Sequence, residues 1–188
     1  MRRAQPVRNA HETPRAYPHG VSPVIRAATE ADLPRIHAIY NDAILTTTAT
    51  WDEEPWPFER RQEWWREHER DATMPVIVVD QPGCPVAGFA YLSWYRSKSG
   101  YRFTRENTVY VDPAFHGRGL GRALMMELLM RAMALGLHVV IASIEATNEA
   151  SLALHRSLGY AIIGTEREIG FKFGRWLDAT YMQITLAE

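Results

Sequence analysis

One segment limits the folds open to this chain more than any other. It is His116-Gly117-Arg118-Gly119-Leu120-Gly121-Arg122, set between a β-branched run and a long periodic run. Thr108-Val109-Tyr110-Val111 reads as a central strand, and Asp112-Pro113 stops it. Residues 121–135 read as a helix with Leu124, Met125, Leu128, Leu129, Ala132 and Leu135 facing inward. Glycines between a strand and a helix let the backbone curl, so that several N–H groups converge. The helix start adds partial positive charge to them. Arg118 and Arg122 can add full charges, and the expected product is a seat for a pyrophosphate. The glycines are spaced G-x-G-x-G, which departs from the G-x-G-x-x-G dinucleotide fingerprint, and no Lys-Ser/Thr pair follows as in a P-loop. Taken alone, the spacing also fits a flexible turn in front of a helix.

The flanking chain alternates strand and helix. Val24-Ile25-Arg26-Ala27 is a short strand. Thr29 can cap the helix that carries Leu33, Ile36, Ile39, Tyr40 and Ile44 at helical spacing. Thr46 to Trp51 reads as a loop, and Pro57-Phe58-Glu59 opens a second helix bearing Trp64, Trp65 and His68. Val76–Val79 and Val86–Trp94 read as a hairpin around a Pro-Gly turn. Strand 139–144, a helix 148–158 capped by Asn148, strand 161–163 and a last strand from about Thr180 to Leu186 complete the order. Strands alternating with helices, with hairpins at both ends, imply a mixed sheet in an α/β or α+β domain spanning 23–188.

Composition narrows the function classes. A formal net charge of -1 argues against a nucleic-acid partner, which needs a basic face. No apolar run approaches the roughly 18 residues of a membrane helix. The single cysteine, Cys84, excludes an intramolecular disulfide and reads as a bystander thiol in a turn. No His/Cys spacing suits a metal, and no Gly-x-Ser-x-Gly is present for a serine hydrolase. Residues 1–22 hold four Arg, three Pro and two His without an apolar stretch. They read as a disordered extension or, less well, a transit peptide, rather than a secretory signal. A cytoplasmic protein is expected.

Residues 116–121 closely resemble the Gln/Arg-x-x-Gly-x-Gly/Ala signature of the GCN5-related N-acetyltransferases (GNAT), with His116 as the departure. Further matches stand at Ile39–Ala43, Thr46–Thr50, Glu106 before the 108–111 strand, and Gly170–Asp178. Together they resemble the branch that acetylates phosphinothricin and methionine sulfone or sulfoximine. The resemblance covers roughly 24–186 and implies the family's fold, a mixed, mostly antiparallel central sheet flanked by helices. It implies acetyl-CoA as cosubstrate, with pantetheine along Val109, Tyr110 and Val111, and pyrophosphate on Gly117, Arg118, Gly119, Leu120, Gly121 and Arg122. It also implies a cofactor contact from Asn148, a small-molecule amine as acceptor, and a homodimer.

Acetylating an amine requires a base to remove a proton from the attacking nitrogen. It also requires a proton for the departing thiolate. Glu106 matches the branch's base. His155 stands where the wider family often has a Tyr that protonates the thiolate; an ordinary His can do so near neutrality. By the same resemblance Arg96, and more weakly Lys98, would contact an anionic group of the acceptor. Tyr95 and Ser97 depart from the branch pattern. His37, His68 and His138 read as packing or surface residues. Trp51, Trp64, Trp65 and Trp94 read as core before pocket. The alternatives are an acetyltransferase for a protein N-terminus or polyamine, or a non-catalytic acetyl-CoA-binding module.

Overall fold

The computed structural model describes residues 23–186, so the expectation for the N-terminal extension lies outside the described residues. Its strands are β1 (Val24–Ala27), β2 (Val76–Gln81), β3 (Cys84–Trp94), β4 (Thr104–Val111), β5 (Val139–Glu145), β6 (Ala161–Lys172) and β7 (Arg175–Thr185). Its α-helices are α1 (Leu33–Thr46), α2 (Phe58–Glu69), α3 (Leu120–Ala134) and α4 (Glu149–Ser157). The strands form one sheet in the order β1-β2-β3-β4-β5-β7-β6. Every neighbouring pair is antiparallel except β4 and β5, which are parallel. This is the mixed sheet that the alternation implied, mostly antiparallel as the resemblance implied.

The run Val76–Val79 is apolar throughout because both faces of the sheet are covered. Val76 and Val78 pack with Leu33, Ile36, Ile39 and Ile44 of α1 and with Trp64 and Trp65 of α2. Ile77 and Val79 pack with Leu124, Met125, Leu128 and Leu129 of α3 and with Leu152 of α4. α1 starts one short turn later than Thr29 suggests. A 3-10 turn, Glu30–Asp32, comes first, and Thr29 and Asp32 form a capping box on it. Asp32 is also gripped by Arg26, which bridges it to Asp80.

Other boundaries also differ from the sequence reading. Leu135 is exposed rather than inward, because α3 ends at Ala134 and Gly136 turns the chain with a φ of +70°. Leu137 then takes the buried position. β4 begins at Thr104, so Glu106 lies inside the strand rather than ahead of it. β6 and β7 extend to a hairpin around Phe173-Gly174, well past 161–163 and before Thr180.

Arg61 of α2 is wholly buried between the rings of Tyr40, Trp56 and Trp64, with its guanidinium carbon 4.3–4.6 Å from their centroids. Cation–π attraction stands in for a carboxylate there. Trp64 and Trp65 are core residues, whereas Trp51 and Trp94 are partly exposed.

Candidate active site

β4 and β5 pair over only three rungs, Thr104–Val139, Arg105–Val140 and Glu106–Ile141. Past Glu106 they part. β4 stays paired with β3 as far as Val111, and β5 with β7 as far as Glu145. The β5-facing backbone of Asn107–Val111 therefore has no strand partner. A cavity of about 420 Å³ opens in this fork.

The cavity gathers most of the residues singled out in the sequence. Val109, Tyr110 and Val111 line one arm, and Gly117, Gly119, Leu120, Gly121 and Arg122 line the far end. Asn148 and His155 come from α4. Gly117 and Gly119 have φ of +72° and +76°, a region where a Cβ is strained. Gly119 is the N-cap of α3, so the N–H groups of Gly119 to Arg122 have no partner from a preceding helical turn. His116 explains its own departure from the signature: its Nε2–H donates to the Val111 carbonyl at 2.8 Å and folds the loop back onto β4. Asn148 caps α4, its Oδ1 accepting from Ser151 N at 3.1 Å. A strand edge lacking partners and a cradle of free N–H groups fit a pantetheine amide chain and a pyrophosphate.

Other predicted residues stand elsewhere. The guanidinium of Arg118 lies near the Phe115 ring, 5.0 Å from its centroid, and Arg118 does not line the cavity. Arg96 and Lys98 are exposed on the β3–β4 connection, Arg96 against Tyr95 and Tyr101. Glu106 sits at the apex of the fork, not in the cavity lining. Side chains alternate along β4. Tyr110 packs edge-on to Tyr40 of α1, so Glu106 and Thr108 share that face, and Asn107 points to the α3–α4 face. Burial raises the Glu106 carboxyl above its ordinary value.

His155 is on the opposite face and is 2% exposed. Its Nδ1 lies 2.8 Å from the Ser151 carbonyl, which can only accept, so Nδ1 carries the proton. Nε2 accepts from Asn107 Nδ2 at 3.0 Å, and Asn107 Oδ1 accepts from Tyr160 at 2.9 Å. Burial lowers the His155 pKa. The ordinary, freely titrating histidine expected here is instead a neutral ring with both nitrogens engaged. His68 is likewise buried, held through Nδ1 by the Trp64 carbonyl.

Sequence reasoning missed Asn107 and the ties of residues 48–50. Thr48 Oγ1 donates to Glu145 at 2.9 Å on one arm of the fork, and Tyr110 on the other donates to the Ala49 carbonyl at 3.2 Å. No local pattern signals contacts so far apart in the chain.

Residues 36–160 match the family model of the acetyltransferase (GNAT) family. An L-methionine sulfoximine/L-methionine sulfone acetyltransferase of Pseudomonas paraeruginosa is 46% identical over 88% of this chain and 96% of its own length. A phosphinothricin acetyltransferase from Sinorhizobium meliloti, solved in complex with acetyl-CoA, superposes with a TM-score of 0.86 at 36% identity, over 89% of this chain and 90% of that one. A ribosomal-protein-alanine N-acetyltransferase structure from Brucella melitensis superposes with a TM-score of 0.84 at 46% identity, over 87% and 99%. With a forked sheet, a glycine cradle at a helix start and relatives of this closeness, the chain belongs to the GNAT family and is an acetyl-CoA-dependent N-acetyltransferase.

Proposed function

We propose that the chain acetylates the α-amine of a small amino acid or analogue, of the methionine sulfone, methionine sulfoximine or phosphinothricin type. The observation that carries the reading is Glu106: a largely buried carboxyl, with no hydrogen bond to another described side chain, at the apex of the fork. A carboxyl raised by burial is suited to take a proton from an ammonium near neutrality. The amine nitrogen attacks the acetyl carbonyl carbon, Glu106 receives the amine proton directly or through water, the C–N bond forms and the C–S bond breaks. The thiolate then takes up a proton. Val109, Tyr110 and Val111 hold the pantetheine by their backbone, Gly117, Gly119, Leu120, Gly121 and Arg122 hold the phosphates, and Asn148 makes a further cofactor contact. His155 lies on the cavity side for the thiolate, but its Nε2 accepts in the resting state. A proton for the thiolate from this ring therefore requires it first to be charged or released from Asn107.

Arg96 and Lys98 follow closely after Ser93, the residue paired with Glu106, and we assign them to an anionic group of the acceptor at that end. The outer edge of β6 exposes Ile162, Ile163, Ile169 and Phe171, which supports a homodimer. Cytoplasmic residence completes the reading.

The Brucella relative supports a second reading, acetylation of an N-terminal alanine. The strap of residues 48–50, tied to both arms of the fork, favours a small acceptor over a chain. A thiol-release assay with methionine sulfone, methionine sulfoximine, phosphinothricin, spermidine and an alanine-headed peptide decides. The expected result is turnover of the amino-acid analogues. Turnover of the peptide alone would replace the first reading with the second, and cofactor binding without turnover of any amine would leave a binding module.

A further inference from the structure

Residues 47–52 cross the α1–α2 face of the fork as a strap. Four side chains from four elements hold it: Glu145 of β5 accepts from Thr48, Tyr110 of β4 donates to the Ala49 carbonyl, Tyr40 of α1 meets the Thr50 hydroxyl at 3.0 Å, and Lys172 at the end of β6 donates to the Thr50 carbonyl at 3.0 Å. The Trp51 ring then lies against Gly170 on β6.

The lysine is the odd member. It is 1% exposed, and the Thr50 carbonyl is its one hydrogen-bond partner among the described residues. An ammonium buried with a single acceptor costs stability, and an apolar side chain of the same length would cost less. Burial lowers its pKa, and Asp52 and Glu53 are the charges that oppose this. Apart from the Thr50 carbonyl, the ammonium has the Phe173 ring beside it, 5.1 Å from the centroid. What the ammonium does supply is a fixed strap on the face where Glu106 waits.

We propose that Lys172 is a positioning residue for the acceptor: it fixes residues 47–52 as the wall against which the incoming amine is held, and acts through that strap without touching acetyl-CoA. This rests on the reading that the amine approaches Glu106 from the α1–α2 face. Two variants loosen the strap independently. Lys172→Met keeps the length and removes the ammonium. Gly170→Ala leaves Lys172 alone but brings a Cβ to 2.4–2.5 Å of two Trp51 ring atoms, so the ring must move.

The test is steady-state kinetics with methionine sulfone as the varied acceptor, alongside acetyl-CoA affinity by calorimetry and thermal melting. Both variants should raise the acceptor KM about tenfold or more. The acetyl-CoA Kd should stay within about twofold, and Lys172→Met should melt no lower than the wild type. An acceptor KM within twofold of wild type in both variants overturns the proposal, as does an acetyl-CoA Kd that rises in step with it. A purely structural lysine would lower the melting temperature and leave the KM alone, which also overturns it. Should Lys172→Met fail to fold, Gly170→Ala alone decides. Wild-type protein inactive on every amine would remove the acceptor reading itself, a result separate from any behaviour of the variants.

Discussion

Asn107 donates to Nε2 of His155 across the fork, 48 residues away in the chain, and thereby holds the ring in its Nδ1–H form. A hydrogen bond to the neutral ring disfavours the charged one, as burial does. Nitrogen NMR of the imidazole should report the Nδ1–H tautomer at neutral pH and a midpoint below the ordinary 6.5. Asn107→Ala should move the midpoint upward. An Nε2–H tautomer in the wild type would remove the arrangement.

The same depression sets a stability window. His37, His68 and His155 all have lowered pKa values, with burial the leading cause. Between the folded and unfolded values the unfolded chain binds more protons, so stability rises with pH there. Their contribution is complete above about pH 6.5 and is lost as the pH falls through the folded values. Urea midpoints measured from pH 8 to pH 5 should decline, with the fall beginning near pH 6.5.

Glu106 has the opposite sign. Its folded pKa is raised, so its contribution to stability is present below about pH 4.5 and is lost as the pH rises through the folded value. Glu106→Gln should melt higher than wild type at pH 7.5. The same variant should lose about a hundredfold or more in kcat while keeping its acetyl-CoA Kd. Unchanged turnover would take Glu106 out of the mechanism.

The cradle glycines should not be equivalent. A side chain at Gly119 must occupy the left-handed region, which costs roughly 1–2 kcal/mol, and Gly119→Ala should melt about 3–6 °C lower. A Cβ at Gly121 would meet nothing nearer than Leu154 at 3.5 Å. Gly121→Ala should melt close to wild type, so any weakening of acetyl-CoA binding by it reports the ligand's approach and not the loop's strain.

Ile163→Lys on the outer edge of β6 should convert a dimer to a monomer by light scattering, with the fold intact. A wild-type chain that runs as a monomer would dismiss the interface.

The readable parts of the sequence were those where one physical cause dominates. α1 and α3 carried their buried stripes openly, and Val76–Val79 announced a strand covered on both faces. β6 did not, because it is exposed for most of its length: Gly164 to Gly170 has no buried side to write into the pattern, and only pairing with β7 makes it a strand. Thr104-Arg105-Glu106-Asn107 was hidden for another reason, since its side chains are polar and their partners lie elsewhere in the chain: Arg105 is buried against Asp71, Thr73 and Trp94, and Asn107 against His155 and Tyr160. In the candidate site, the glycine segment stood out through the strand–glycine–helix order, and Glu106 became a candidate through resemblance. Asn107 and Lys172 were not, because the partners that define them come from other elements of the fold.

The parted arms of β4 and β5 have a consequence for the protein's lifetime. Five residues of an interior strand lack a neighbour on one side, so acetyl-CoA bound there, as we propose, would supply a missing piece of the sheet as well as an acetyl group. Saturation to a hundred times Kd would deepen the folded well by about 2.7 kcal/mol. The abundance of this enzyme, set against proteolysis of its opened forms, should follow the supply of the metabolite it consumes.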